Sequence, residues 1–112
     1  MVDIQVSNVN NNVTLVQVNG RVDSSNANSL GEALTGEIES GHTKIVLDLS
    51  SVEYMSSAGL REIVAAYKRV KRNAGDVRIA QPSFRVLEVL EVAGLDTIFQ
   101  IYASQREAVG SY

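Results

Sequence analysis

The chain has 112 residues, the size of one ordinary domain. Hydrophobic residues at 45% and charged residues at 21% argue against disorder, the lack of cysteine excludes disulfides and thiolate chemistry, and a single histidine, His42, is too little for a zinc site. Ten basic against thirteen acidic side chains give a net charge of -3, the wrong sign for phosphate-driven nucleic-acid binding, and with no Trp, two Phe and four Tyr a base-stacking role is weak as well.

No apolar run approaches the roughly 20 residues of a membrane span. No basic start followed by an apolar stretch marks a signal peptide, so a cytoplasmic location is the simplest expectation.

Val2-Asp3-Ile4-Gln5-Val6 alternates apolar and polar residues, the pattern of a half-exposed strand. Asn10-Asn11-Asn12 forms a turn, because asparagine tolerates unusual backbone angles, and Val13 to Val18 returns as the second strand of an antiparallel hairpin ended by Gly20. Ala27, Leu30, Leu34 and Ile38 then recur at helical spacing, with capping side chains at 23–26 and Gly41 as the stop. Lys44 to Leu49 lacks alternation, which predicts a strand covered on both faces and followed by a loop.

A second helix starts near Ser56 or Ser57, with Leu60, Ile63, Val64, Tyr67 and Val70 on one face and 73–75 closing it. Val77 to Ala80 reads as a fourth strand. Pro82-Ser83 opens a third helix carrying Val86, Leu87, Leu90 and Ala93 and stopped by Gly94. Ile98 to Tyr102 reads as a fifth strand, with a last short helix from Ser104. The expected fold is therefore α/β, one domain over 1–112, with a mixed, mostly parallel sheet of about five strands and about four helices.

Enzyme constellations are missing. Ala58-Gly59-Leu60 lacks the further glycines of a dinucleotide fingerprint and the Gly-Lys-Ser/Thr of a phosphate loop, there is no Gly-x-Ser-x-Gly, and one histidine leaves little room for a serine triad. His42 reads as a surface residue, and Glu37/Glu39 and Glu88/Glu91 as solvated helix faces. The run Lys68-Arg69-Val70-Lys71-Arg72 reads as cations complementing a helix C-terminus. Asp48, an acid inside an apolar strand, needs hydrogen bonds, with the amides of the following loop as the nearest donors.

The informative segment is Asp48-Leu49-Ser50-Ser51-Val52-Glu53-Tyr54-Met55-Ser56-Ser57-Ala58-Gly59-Leu60, in which a buried strand leads to two hydroxyls at the start of an amphipathic helix. In open α/β sheets ligands and partners gather at the carboxyl ends of strands. One serine suffices as a cap, which leaves the second unexplained.

This segment resembles the central signature of STAS domains, in particular bacterial anti-sigma factor antagonists. Gly20-Arg21-Val22-Asp23 and Val89-Leu90-Glu91-Val92-Ala93-Gly94-Leu95-Asp96-Thr97-Ile98-Phe99 are similar to two further family elements, in the same order along nearly the whole chain. The resemblance implies a non-enzymatic partner switch without a cofactor. Unphosphorylated, such a protein binds an anti-sigma factor that is also a GHKL-type serine kinase and thereby frees a sigma factor; phosphorylation separates the pair, and a PP2C-type phosphatase restores binding.

The family's phosphoacceptor position falls on Ser57. The preceding position, often Asp in the family, is Ser56 here, which makes Ser56 a rival acceptor. The implied contact patch comprises Asp23, Ser56, Ser57, Ala58 and Gly59, with Met55 and Arg61 at its edge. Asp23 equally suits an N-cap of the first helix, and Gly59 equally suits helix packing. A constitutive STAS accessory subunit of a membrane-transport or signalling complex is the alternative role. Small-molecule sensing lacks a phosphate-cradling motif.

Overall fold

The computed structural model describes residues 2–112. Strands β1 (Val2–Val9) and β2 (Val13–Val22) form the antiparallel hairpin, and the turn between them holds Asn11 and Asn12 at φ of 64° and 62°. Strands β3 (Lys44–Met55), β4 (Asp76–Ala80) and β5 (Ile101–Tyr102) continue parallel to β2, in spatial order β1-β2-β3-β4-β5. The crossovers are α1 (Ala27–Glu39), α2 (Ser57–Lys71) and α3 (Phe84–Val92), and α4 (Gln105–Gly110) ends the chain. The fold is the expected α/β arrangement with a mixed five-stranded sheet and four helices.

The strand order never reverses, so crossovers of one hand bring α1, α2 and α3 to the same face of the sheet. Their buried residues share one core with the strands: Leu30 and Leu34 from α1, Ile63 and Val70 from α2, and Val86 and Leu90 from α3 meet Val16, Leu47 and Ile79. Each large side chain buried there contributes about 1.5–3 kcal/mol. The opposite face holds Val13, Leu15 and Val46 under Ala108 of α4. Ile45 to Leu49 of central β3 are thus covered on both sides, as their unbroken burial shows, whereas the rest of the strand mixes buried with exposed residues.

Two strand ends differ from expectation. β2 does not stop at Gly20 but runs to Val22, and β3 does not give way to a loop after Leu49 but runs to Met55. The extensions pair with each other, Gly20 with Val52 and Val22 with Met55, across register shifts beside Gln17 and Gly20. Gly20 sits at φ 101°, so the glycine serves an irregularity within the strand rather than its end. The shifts break the two-residue alternation, and Ser50-Ser51 and Glu53 therefore read as loop.

The fifth strand is also shorter than Ile98 to Tyr102. Residues Leu95–Thr97 form a 3-10 turn and Phe99 drops into the core, where its ring meets Tyr67 edge-on at 5.0 Å. Only Ile101 and Tyr102 remain to pair with β4.

Candidate functional site

The paired extensions of β2 and β3 end side by side, at Val22 and Met55, and fix how the chain enters α2. The amide of Ser56 donates to the carbonyl of Val22 at 2.8 Å. Ser56 itself is extended and is the N-cap of α2, its hydroxyl accepting from the amide of Gly59 at 3.3 Å. Ser57 is the first helical residue and is exposed. One hydroxyl is engaged in the cap, and its neighbour is presented to solvent beside first-turn amides that have no intrahelical acceptor.

Asp23 follows directly on Val22. Its carboxylate accepts from the amide and hydroxyl of Ser25, at 3.0 and 2.5 Å, and these bonds hold its pKa below the usual value. It does not cap α1. The cap residue there is Asn26, whose side chain instead accepts from the amide of Asp23 and donates to the carbonyl of Arg21, both at 2.9 Å. The α1 entry is thereby stitched to the end of β2, and the half-buried Asp23 follows directly on the strand end that bonds Ser56.

Two residues expected in the contact patch face inward. Met55 is 3% exposed and belongs to the core, because its place in β3 turns it under α2. Gly59 is buried too: a Cβ there would lie 2.4 Å from Met55 Sδ and 2.7 Å from Val22 Cγ1. Its smallness lets α2 sit down on the ends of β2 and β3, which is a packing role. Ala58 is half-buried, and Arg61 is exposed one turn beyond Ser57.

The structure adds a pair that the sequence reading gave no role. Arg21 and Tyr54 face each other across the β2–β3 pairing, and the Arg21 guanidinium lies over the Tyr54 ring at 4.7 Å. Both are exposed and adjoin the junction. Arg21 lies inside the motif at 20–23, but only the strand extension reveals what stands opposite it.

Asp48, His42, Arg69 and Lys71 have structural partners. Asp48, 4% exposed, accepts from the amide of Ser50 at 2.9 Å, from Gln81 Nε2 at 3.1 Å and from Gln105 Nε2. Burial pushes its pKa up, but these donors outweigh it and the net shift is downward. Two of the three donors come from distant elements, so Asp48 ties β3 to the segment after β4 and to α4. His42 Nδ1 lies 2.8 Å from Glu37 Oε1 at the end of α1. Within the basic run, Arg69 reaches Glu39 at 3.9 Å and Lys71 reaches Asp76 at 3.5 Å.

Among the described residues no cluster of His, Cys, Asp or Glu has the makings of a metal site, and no helix is long and apolar enough to cross a membrane. The family model for the STAS domain matches residues 5–108. The chain belongs to the STAS domain family. BtrV of Bordetella bronchiseptica is 35% identical to this STAS domain over 92 residues, which cover 82% of this chain and 78% of BtrV. The anti-sigma-B factor antagonist of Bacillus subtilis is 31% identical over 100 residues, 89% of this chain and 91% of that protein. A crystal structure from Thermotoga maritima superimposes with a TM-score of 0.90 at 28% identity, covering 96% of this STAS domain and 92% of the other chain.

Proposed function

We propose that this STAS domain is an anti-sigma factor antagonist. In its unphosphorylated form it binds an anti-sigma factor that doubles as a GHKL-type serine kinase, and a sigma factor is released in the cytoplasm. Phosphorylation of Ser57 ends the binding, and a PP2C-type phosphatase restores it. The chain acts in this scheme as ligand and phosphoacceptor rather than as catalyst.

The observation that carries the reading is the division of labour between adjacent serines. Ser56 Oγ is held by the Gly59 amide, whereas Ser57 stands exposed on the first residue of α2. A kinase can reach Ser57 without opening the helix. The similarity to the Bacillus subtilis antagonist over most of both chains supports the choice of partner class.

The energetics favour release without refolding. A phosphate at a helix N-terminus meets free amides and the positive end of the helix dipole, so the domain tolerates it. The modification adds about -1.5 to -2 charges to the contact surface. Against one partner carboxylate about 6 Å away, at an effective dielectric near 20, the repulsion is several kcal/mol. Each 1.4 kcal/mol is about tenfold in affinity, which leaves orders of magnitude for the switch even after screening.

The test begins by retaining the partner on the immobilised unmodified protein and identifying a GHKL-type ATPase by mass spectrometry. Incubation of the two with ATP should place one phosphate, on Ser57, and Ser57→Ala should abolish it. Ser57→Asp should weaken the complex. A chain that stays unmodified in the presence of a kinase it binds would remove the switch.

A further inference from the structure

A groove of about 480 Å³ runs beside α2 and begins at the switch, because Ser57 is part of its lining. Its floor and walls are apolar: Val64 and Ala65 from α2 face Ala93 and Leu95 from the end of α3 and the turn that follows. Two cations stand along the α2 side, Arg61 and Lys68. They are seven residues apart, two helical turns or about 10.5 Å along the axis.

These cations differ from their neighbours on the same helix. Arg69 and Lys71 are matched by Glu39 and Asp76, whereas among the described residues neither Arg61 nor Lys68 has an acidic partner. Both are exposed, in a chain whose net charge is -3. An apolar trough with two unmatched positive charges along one side, in an otherwise acidic molecule, is complementary to an apolar segment bearing carboxylates.

We propose that this groove is the specificity surface of the switch and takes a segment of the anti-sigma factor with an apolar stripe and two carboxylates, one for Arg61 and one for Lys68. The inference rests on the antagonist reading and names what that reading leaves open, the chemistry the partner must present. It also gives Arg61 a second task. Ser57 and Arg61 are four apart on α2, neighbours on one face of the helix. A phosphate on Ser57 therefore finds Arg61 within its own chain and takes it from the partner. The two positive charges of the groove fall to about zero once about -1.5 to -2 is added. Modification thus repels the incoming carboxylates and withdraws a cation that held one of them.

A second copy of this chain is the competing occupant, and the experiment separates the two. Binding of the identified anti-sigma factor, with ADP so that no phosphate is transferred, is measured by calorimetry for the parent protein and for Arg61→Glu, Lys68→Glu and Arg61→Lys. Thermal unfolding checks that each variant is folded. Each reversal should weaken binding at least tenfold, Arg61→Lys much less, and amide signals of 64–68 and 93–95 should shift on complex formation together with those of 56–58. If Arg61→Glu and Lys68→Glu each change affinity less than twofold while Ser57→Asp still releases the partner, the groove proposal falls and the antagonist reading stands. If the parent protein does not bind the anti-sigma factor at all, both fall. Concentration-dependent self-association that the same reversals abolish overturns the proposal in favour of a second copy.

Discussion

The amide of Ser56 donates to the carbonyl of Val22 at 2.8 Å, and this one bond joins the end of β2 to the residue that caps α2. The strand that leads into Asp23 and the helix that presents Ser57 are therefore set relative to each other by backbone, before any side chain is considered. The position of the exposed hydroxyl is a property of the sheet, and substitutions near it should separate folding from switching.

The two serines should behave oppositely. Ser56→Ala removes the acceptor for the Gly59 amide and should cost about 1 kcal/mol, the usual value of a lost N-cap. Ser57→Ala touches an exposed side chain and should leave stability within about 0.5 kcal/mol. Urea denaturation reads the first difference. Phosphate incorporation by the bound kinase reads the second, persisting in Ser56→Ala and vanishing in Ser57→Ala.

Gly59→Ala tests whether this glycine serves packing. A Cβ at 2.4 Å from Met55 Sδ and 2.7 Å from Val22 Cγ1 forces the helix or its neighbours to shift. Overpacking of this kind costs about 1–3 kcal/mol, more than the better helix propensity of alanine returns. The variant should unfold at lower urea concentration than the parent. The added double substitution Met55→Ala with Gly59→Ala should lose less than the two single losses summed, because the shortened side chain vacates the clash.

The pH dependence of stability should carry the signature of Asp48. Its carboxylate has a lowered pKa in the folded protein, since the donors from Gln105, Ser50 and Gln81 outweigh the opposing effect of burial. A folded pKa below the unfolded one means stability fully present above the unfolded value of 3.8 and lost as pH falls through the folded value. Asp23 is shifted the same way by Ser25, partly in solvent where screening blunts its effect. Denaturation midpoints at pH 7 and pH 3 should therefore differ, and Asp48→Asn should narrow that difference while lowering stability at pH 7. An unchanged difference would assign the acid sensitivity to other carboxylates.

Most of the fold is legible in the sequence because its signals are local. Gly41 and Gly94 stop helices at φ of 88° and 74°, Ser83 and Ser104 cap α3 and α4, and Ile45 to Leu49 announce a strand covered on both faces. What the sequence hides depends on pairing between distant segments. The extensions of β2 and β3 pass through two register shifts, so neither shows a clean alternation, and it is their pairing with each other that keeps 51–55 in the sheet. The same extension buries Met55 and Gly59 and sets Arg21 over Tyr54 on the exposed side of the junction. That Ser56 rather than Ser57 is the cap follows from where β3 ends, which the motif alone leaves open.

The phosphate itself offers the last test, because its ionisation reports its surroundings. A phosphomonoester on serine has a second pKa of about 6. On Ser57 the helix terminus and Arg61, four residues on, both favour the dianion and should lower that value. Asp23 opposes them across the junction, but its carboxylate is turned onto Ser25. Phosphorus NMR of the modified protein should therefore show a titration midpoint below that of a phosphoserine peptide of the same sequence, and Arg61→Gln should move it upward. Because the folded value is the lower one, the phosphate stabilises the domain above the unfolded pKa and loses that effect as pH falls through the folded pKa. The modified form should thus melt above the unmodified form at pH 7.5, with the gap closing toward pH 5. A midpoint equal to that of the peptide would leave the phosphate free in solvent, with repulsion of the partner as its only means of release.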